Sequence, residues 1–490
     1  MSRKINCFAI LLALLLMPVL AFAEDLLNAG PTRNPQFADS YDPKNPGALI
    51  KEDIVAHSYL VMERNSEEIL MAENETEQMF PGSTTKILTA LIALQYGDLD
   101  DELEVSGTAL MNLPEDVTMV GLKEGEIITL RDALYGMMLR SGNDAANVIA
   151  EYISGGINAF VALMNQEAAN LGCANTNFMN PHGLHHEGHQ TTARDLAVIM
   201  NAALDHPEFR KIIGTLNYTI STTNKNPARN LKNLVAPLDP DSNYYYPDSI
   251  GGKTGTHLEA AYVFVEAAER DGVELIAVVM FSNLYARWSD ASRLLNFGFL
   301  QYESVTPEQL YNESPIKVEI KGYDPAEAQY AADEEKEDFR FGRVELAIRP
   351  VDPKNTMRIT RKVEEIAELR RTFIGSHTYV QWETELRAPI TAGQILGTLI
   401  FFSDEGPAEY QLMAKRSVTA RPDAPPTLEE IEARVLADPS PFPPFSLDWV
   451  LPPFLIFLAC LWGFRLLMRA LFESSRGRKR IPKPTQRYFS

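Results

Sequence analysis

Cysteine is nearly absent from this 490-residue chain. Of its three, Cys7 lies in an N-terminal apolar stretch and Cys460 in a C-terminal one, which leaves Cys173 alone in the body between them. A single thiol forms no internal disulfide, so the body must be held by packing. Cys173, following Leu171-Gly172, reads as a small packed residue and not as a nucleophile. Basic residues are outnumbered in the same body. The net charge is −21, with +2 on residues 1–23 and +7 on 449–490, which leaves −30 on 24–448. A body this acidic argues against broad binding to nucleic acid or to an anionic membrane surface. Zinc-type spacing is lacking too. His182, His185, His186 and His189 gather half of the chain's eight histidines in one loop, but no acidic or cysteine ligands recur there at zinc spacing. No metal and no cofactor is expected.

What is present at the two ends points to export. Arg3-Lys4 precede an apolar run from Phe8 to Phe22, which closes on Ala21-Phe22-Ala23 before Glu24. This is the form of a secretory signal peptide over residues 1–23, and Pro18 interrupts the run against its serving as a permanent anchor. Residues 24–50 are rich in Asn, Pro, Asp and Gly and read as an exposed lead-in. Seven prolines between 421 and 447 describe a semi-rigid linker. The apolar pattern of 449–472 follows, and 20 residues of helix from Pro453 would span about 30 Å, enough for a bilayer core. Arg465 and Arg469 fall where they can snorkel, and Arg476, Arg478, Lys479 and Arg480 place the tail, 473–490, in the cytoplasm. An in-plane amphipathic anchor is the alternative, because Arg465 and Arg469 share a helix face. Either way the protein is expected at the cell membrane with its body outside.

Between the ends, Ser58–Met62 and Glu68–Ala72 read as a hairpin. Residues 87–205 are mostly helical in pattern, with amphipathic segments at Leu130–Leu139, Ala145–Ile153 and Phe160–Leu171 and another opening at Thr191. Strands return at Leu216–Ser221, Ala261–Ala267 and Leu275–Phe281, and a helix closes this part from about Ser289 to Phe297. From Ile316 short alternating strands take over, at 316–320, 344–348, 357–360, 379–382 and 396–402. The charged run Asp333 to Asp338 reads as a solvated loop. The division expected is a catalytic domain over 51–305 and a β-rich second domain over 312–420.

Three short motifs carry the chemistry. In Phe80-Pro81-Gly82-Ser83-Thr84-Thr85-Lys86, a turn-prone pair precedes a serine, and a lysine follows three residues later at the start of an apolar helical pattern. Residues i and i+3 share a helix face, so the Lys86 amine can reach the Ser83 hydroxyl. It can take that proton only if burial or a neighbouring cation lowers its pKa. Alone this is weak, because a chain of this length holds about one or two such spacings by chance. Ser141-Gly142-Asn143 lies between two helical segments and can project a hydroxyl and a carboxamide into a cleft. Gly252-Lys253-Thr254-Gly255-Thr256 precedes the strand at Ala261, and its lysine and threonine can bind a carboxylate.

All three motifs in this order resemble the signature of active-site serine penicillin-recognising enzymes. Over roughly residues 50–420 the chain is similar to low-molecular-mass penicillin-binding proteins that act as serine-type D-alanyl-D-alanine carboxypeptidases. The likeness extends to Phe160–Asn165, to Asn180-Pro181-His182-Gly183-Leu184 with Thr192–Leu196, and to Ala388-Pro389-Ile390 with Gly393–Gly397 in the second domain. The resemblance implies an α+β fold in which a transpeptidase-like domain, an antiparallel sheet with flanking helices and a helical subdomain, precedes a small β-rich domain and a C-terminal transmembrane helix. It implies Ser83 as nucleophile, Lys86 as its base, and Ser141 as a third catalytic residue. Asn143, Lys253, Thr254 and, at the position of a carboxylate-facing arginine, Arg287 would hold substrate. The backbone N–H groups of Ser83 and Thr256 would form the oxyanion hole. The implied partners are a peptidoglycan stem peptide, β-lactams as covalent inhibitors, and the membrane, with no nucleic acid. One departure is the order Thr256-His257, where the family usually has an aromatic residue or histidine and then threonine. A β-lactamase and a penicilloyl-binding sensor without useful turnover are the alternatives. Glu167 faintly echoes a β-lactamase deacylating glutamate, but it falls inside a helical block and reads as a helix-face residue.

Overall fold

The computed structural model describes residues 44–111, 113–355, 357–403 and 406–422, with 428, 431–433 and 462–465. The expected signal peptide, most of the lead-in and linker, the tail, and all of the expected anchor except 462–465 lie outside the described residues. Among the described residues no single helix is long and apolar enough to cross a membrane.

Among the described residues nine strands precede residue 283: β1 (Ser58–Glu63), β2 (Ile69–Glu73), β3 (Glu102–Glu104), β4 (Ile127–Thr129), β5 (Asn217–Ile220), β6 (Arg229–Lys232), β7 (Ser249–His257), β8 (Ala261–Arg270) and β9 (Val273–Ser282). Five of them make an antiparallel sheet in the order β2-β1-β9-β8-β7. β8 and β9 are joined by Asp271-Gly272, both at positive φ (52° and 86°), the conformation a two-residue hairpin turn demands. Their near-continuous apolar runs follow from burial on both faces. Ile276, Val278 and Met280 of β9 join one core, while Leu275, Ala277 and Val279 join the other. This is the two-residue period of a strand. The second core is closed by the helix Ala286–Phe299 through Trp288, Leu294 and Leu295.

The first core is the helical side. At its centre is the helix Lys86–Tyr96, in which every residue from Lys86 to Ala93 is buried. A helix apolar on all sides belongs inside a protein, and here it packs among Leu130–Leu139, Asn143–Ser154, Ile157–Asn170 and Ala193–Leu204. Thr129 and Thr192 cap two of these helices by accepting from the N–H groups of Asp132 and Asp195. Cys173 is buried here, and burial pushes its thiol up to about 12, as suits a packed, inert residue.

Beyond residue 300 come β10 (Tyr302–Val305), β11 (Lys317–Glu319), β12 (Arg343–Pro350), β13 (Ile359–Lys362), β14 (Thr378–Trp382), β15 (Ile395–Ser403) and β16 (Gly406–Ala414). A second five-stranded sheet has the order β11-β12-β16-β15-β14, and β10 pairs with β13. The helix Val363–Ser376 sets Phe373 5.3 Å from Phe401 of β15. By compactness the chain divides into two units, and this sheet falls in the same unit as the first one. The other unit contains 320–342, 387–390 and described residues from 418 onward. It is held by bridges such as Tyr323 to Ala420 and Ile390 to Val418. The charged run expected as a loop runs into a short helix, Lys336–Arg340, with no buried residue.

Candidate active site

Ser83 lies in a 3-10 turn, Gly82–Thr85, that runs directly into the helix beginning at Lys86. In a 3-10 turn residues i and i+3 eclipse, which aligns Ser83 with Lys86 more closely than an α-helical start would. The turn is forced by its neighbours. Gly82 sits at φ +55° with β7 against it, and a Cβ on Gly255 of that strand would come within 2.5 Å of Pro81 O and 3.1 Å of Ser83 N. From the loop side, a Cβ on Gly183 (φ +87°) would fall 1.8 Å from Gly82 O. Glycine at these points lets β7 and the 180–191 loop close on the backbone of the serine.

Lys86 is fully buried. Its Nζ lies 2.9 Å from Ser83 Oγ and donates to Asn143 Oδ1 at 2.8 Å and to the carbonyl oxygen of His182 at 2.6 Å. The last two groups only accept. A neutral amine has two N–H donors for them and a lone pair left for the Ser83 hydroxyl. Burial first, and then the charge of Lys253, hold the amine well below the ordinary lysine value. Asp144 acts more weakly in the opposite sense.

Ser141 stands between two helices at φ +60°, in the left-handed region uncommon for a side-chain-bearing residue. Its Oγ accepts from Lys253 Nζ at 3.0 Å, and the same ammonium reaches Thr254 O at 3.0 Å. Lys253 is buried as well, and desolvation followed by Arg287 lowers it to about 7. Arg287 begins the Ala286–Phe299 helix, lies against the rings of Tyr262 and Trp288 (4.9 and 4.2 Å), and donates to Thr256 Oγ1 at 3.4 Å. Burial lowers its guanidinium to about 10, its Nε has no partner, and no carboxylate pairs with it among the described residues. A desolvated, uncompensated cation at a cleft is a receptor for an anion. Thr256 is exposed beside it, and Thr254 is buried in β7.

The structure therefore joins Ser83, Lys86 and Asn143 in one set of contacts, Ser141 and Lys253 in a second, and Thr256 and Arg287 in a third, with Thr254 on the strand of Lys253 and Thr256, and the charges of Lys253 on Lys86 and of Arg287 on Lys253 run between the sets. Three contributors were not anticipated. The His182 carbonyl holds Lys86. Gly183 admits the loop. Asp144 accepts from the N–H groups of Val120, Gly121, Leu122 and Ala145 at 2.9–3.0 Å and so ties the 118–122 loop to Asn143. Their signals were an Asn-Pro-His-Gly block and an acid in a first helical turn. Glu167 lies outside these sets, where it accepts from Tyr96 O–H at 3.0 Å.

Sequence comparison with known proteins points the same way. The profile of the D-alanyl-D-alanine carboxypeptidase family matches residues 44–283. A D-alanyl-D-alanine carboxypeptidase of Bacillus subtilis, DacF, is 30% identical over 398 residues, covering 79% of this chain and 90% of that protein. DacB2 of Mycobacterium tuberculosis is 34% identical over 267 residues, covering 53% of this chain and 87% of that one. Among solved structures, a DD-transpeptidase of Streptomyces K15 matches with a TM-score of 0.47 at 31% identity, over 50% of this chain and 98% of that one. This chain belongs to the D-alanyl-D-alanine carboxypeptidase family, and it is a serine-type enzyme of that class.

Proposed function

We propose that the protein removes the terminal D-alanine from peptidoglycan stem peptides through an acyl-enzyme on Ser83. The observation that carries this reading is the buried Lys86 amine, whose N–H groups are engaged by Asn143 and His182 and whose remaining valence faces Ser83 Oγ at 2.9 Å. In this mechanism Lys86 takes the hydroxyl proton as Oγ attacks the carbonyl carbon of the penultimate D-alanine. The oxyanion is held by the N–H groups of Ser83 and Thr256. Lys253, Thr254 and Arg287 receive the terminal carboxylate, and Asn143 the peptide amide. Collapse of the tetrahedral intermediate breaks the C–N bond, and the proton that Lys86 took passes by way of Ser141 to the departing amine, leaving Lys86 neutral. Water then attacks the acyl carbon and gives a proton to the neutral Lys86, which passes it to Ser83 Oγ as the acyl bond breaks, restoring the hydroxyl. β-Lactams acylate the same oxygen. Ser83→Ala should lose both D-alanine release from diacetyl-Lys-D-Ala-D-Ala and covalent labelling by penicillin. Persistent labelling in that variant would overturn the assignment.

The reading extends to the ends of the chain. Export by residues 1–23, attachment by 449–472 across a linker at 421–447, and a β-rich second domain over 312–420 would hold the site at a fixed place outside the membrane. Sequence pattern supports each of these.

A further inference from the structure

Close to the Ser83 turn, the segment after Gly183 meets the end of β7. His185, His257 and Glu259 converge there, each offering one ligand atom within 4.8 Å of those of the other two. Glu259 Oε2 is 3.1 Å from His257 Nδ1 and 3.8 Å from His185 Nδ1. A tetrahedral zinc ion with bonds of about 2.0–2.1 Å sets its donor atoms about 3.3 Å apart, so small side-chain movements would complete the fit. The side chains are 30%, 15% and 40% exposed respectively, which leaves one flank of the trio open to solvent. The rings are also braced. Phe80 meets His185 edge-on at 4.8 Å and lies 6.1 Å from His257. Binding through Nδ1 of His257 would replace its two contacts there, with the Ala260 N–H and with Glu259 Oε2, both at 3.1 Å.

We propose that His185, His257 and Glu259 bind a divalent transition-metal ion of the zinc class, with a water in the fourth position. Two histidines and a carboxylate suit such an ion, whereas calcium or magnesium would call for more oxygen donors. The ion bridges the histidine loop to the β7–β8 turn. His182 of that loop holds Lys86, and Thr256 precedes His257, so the metal pins together two segments that flank Ser83. The site is separate from the Ser83 chemistry and stands whether or not that reading does.

The test is zinc titration of the full chain, free of any histidine tag and stripped with chelator, in competition with a chromogenic chelator. One equivalent should bind, and zinc should raise the melting temperature. His185→Ala, His257→Ala and Glu259→Gln should each weaken binding at least tenfold, since even the loss of outer-shell partners costs about 10–100-fold. His186→Ala should bind as the parent does. Far-UV circular dichroism and melting without metal show that the variants are folded. No stoichiometric binding to the parent, affinity kept in any of the three variants, or affinity lost in His186→Ala would overturn the proposal.

Discussion

Two of the three oxygens around Lys86 Nζ, Asn143 Oδ1 and the His182 carbonyl, can only accept, and this sets what substitutions there will do. Methionine matches its length but has no proton to take or give. Lys86→Met should reduce penicillin acylation about 10²–10⁴-fold, measured as the labelling rate with a fluorescent penicillin. It should also lower stability, because Asn143 Oδ1 and the His182 carbonyl each lose a donor at about 1–3 kcal/mol. The pH dependence follows from the direction of the shift. The amine protonates as pH falls through its depressed value, so acylation should be lost on the acid side. It should rise along a limb lying below the ordinary 10.5, read from acylation rates across pH. The linked effect on folding has a definite sign. Lys253, lowered to about 7, binds fewer protons in the native state than in the unfolded chain between that value and 10.5. Stability should therefore increase with pH across this window, in denaturant titrations at several pH values.

At the scale of elements, three segments meet on one turn, and glycine is what allows it. Gly183→Ala places a Cβ 1.8 Å from Gly82 O at a φ of +87°, so the loop must withdraw. The expected result is a loss of about 1–3 kcal/mol or more in denaturant melts, together with slowed acylation as the His182 carbonyl leaves Lys86. The sequence shows much of this level. Leu130–Leu139 is a helix over the residues its periodicity marks, and β1, β8 and β9 follow their apolar runs. Two parts of the fold escape. The Lys253 motif lies within β7, a nine-residue strand, but Gly251, Gly252 and Gly255 give it no β-branched alternation. Those glycines are there for the close approach of another backbone. The helix Val363–Ser376 has five charged residues that obscure its apolar positions, and strand β16 opens on Gly406-Pro407-Ala408 and has no β-branched residue to mark it. The motif residues of the site are legible because their spacing is local. The His182 carbonyl and Asp144 are not, since a backbone oxygen has no sequence signal and a first-turn acid is common.

At the scale of the molecule, the division of labour between body and tail can be tested by truncation. A chain ending at residue 447 should be exported in soluble form and keep its D-alanine release, while the full chain stays with the membrane fraction. A truncated chain that still sediments with membranes would place the anchor elsewhere. The site itself belongs to no single part of the body. The hydroxyl comes from the turn before one helix, the carboxamide from the start of another, the carbonyl from a loop nearly a hundred residues on, and the depressing charge from the edge of the sheet. An unfolded chain holds the same Ser83 and Lys86 three residues apart, but there the lysine is hydrated and keeps its proton. On the proposed mechanism Ser83 is therefore latent in the unfolded chain, and it is armed only when the last of these segments docks. On that mechanism, labelling by penicillin should count finished molecules and leave unfinished ones silent.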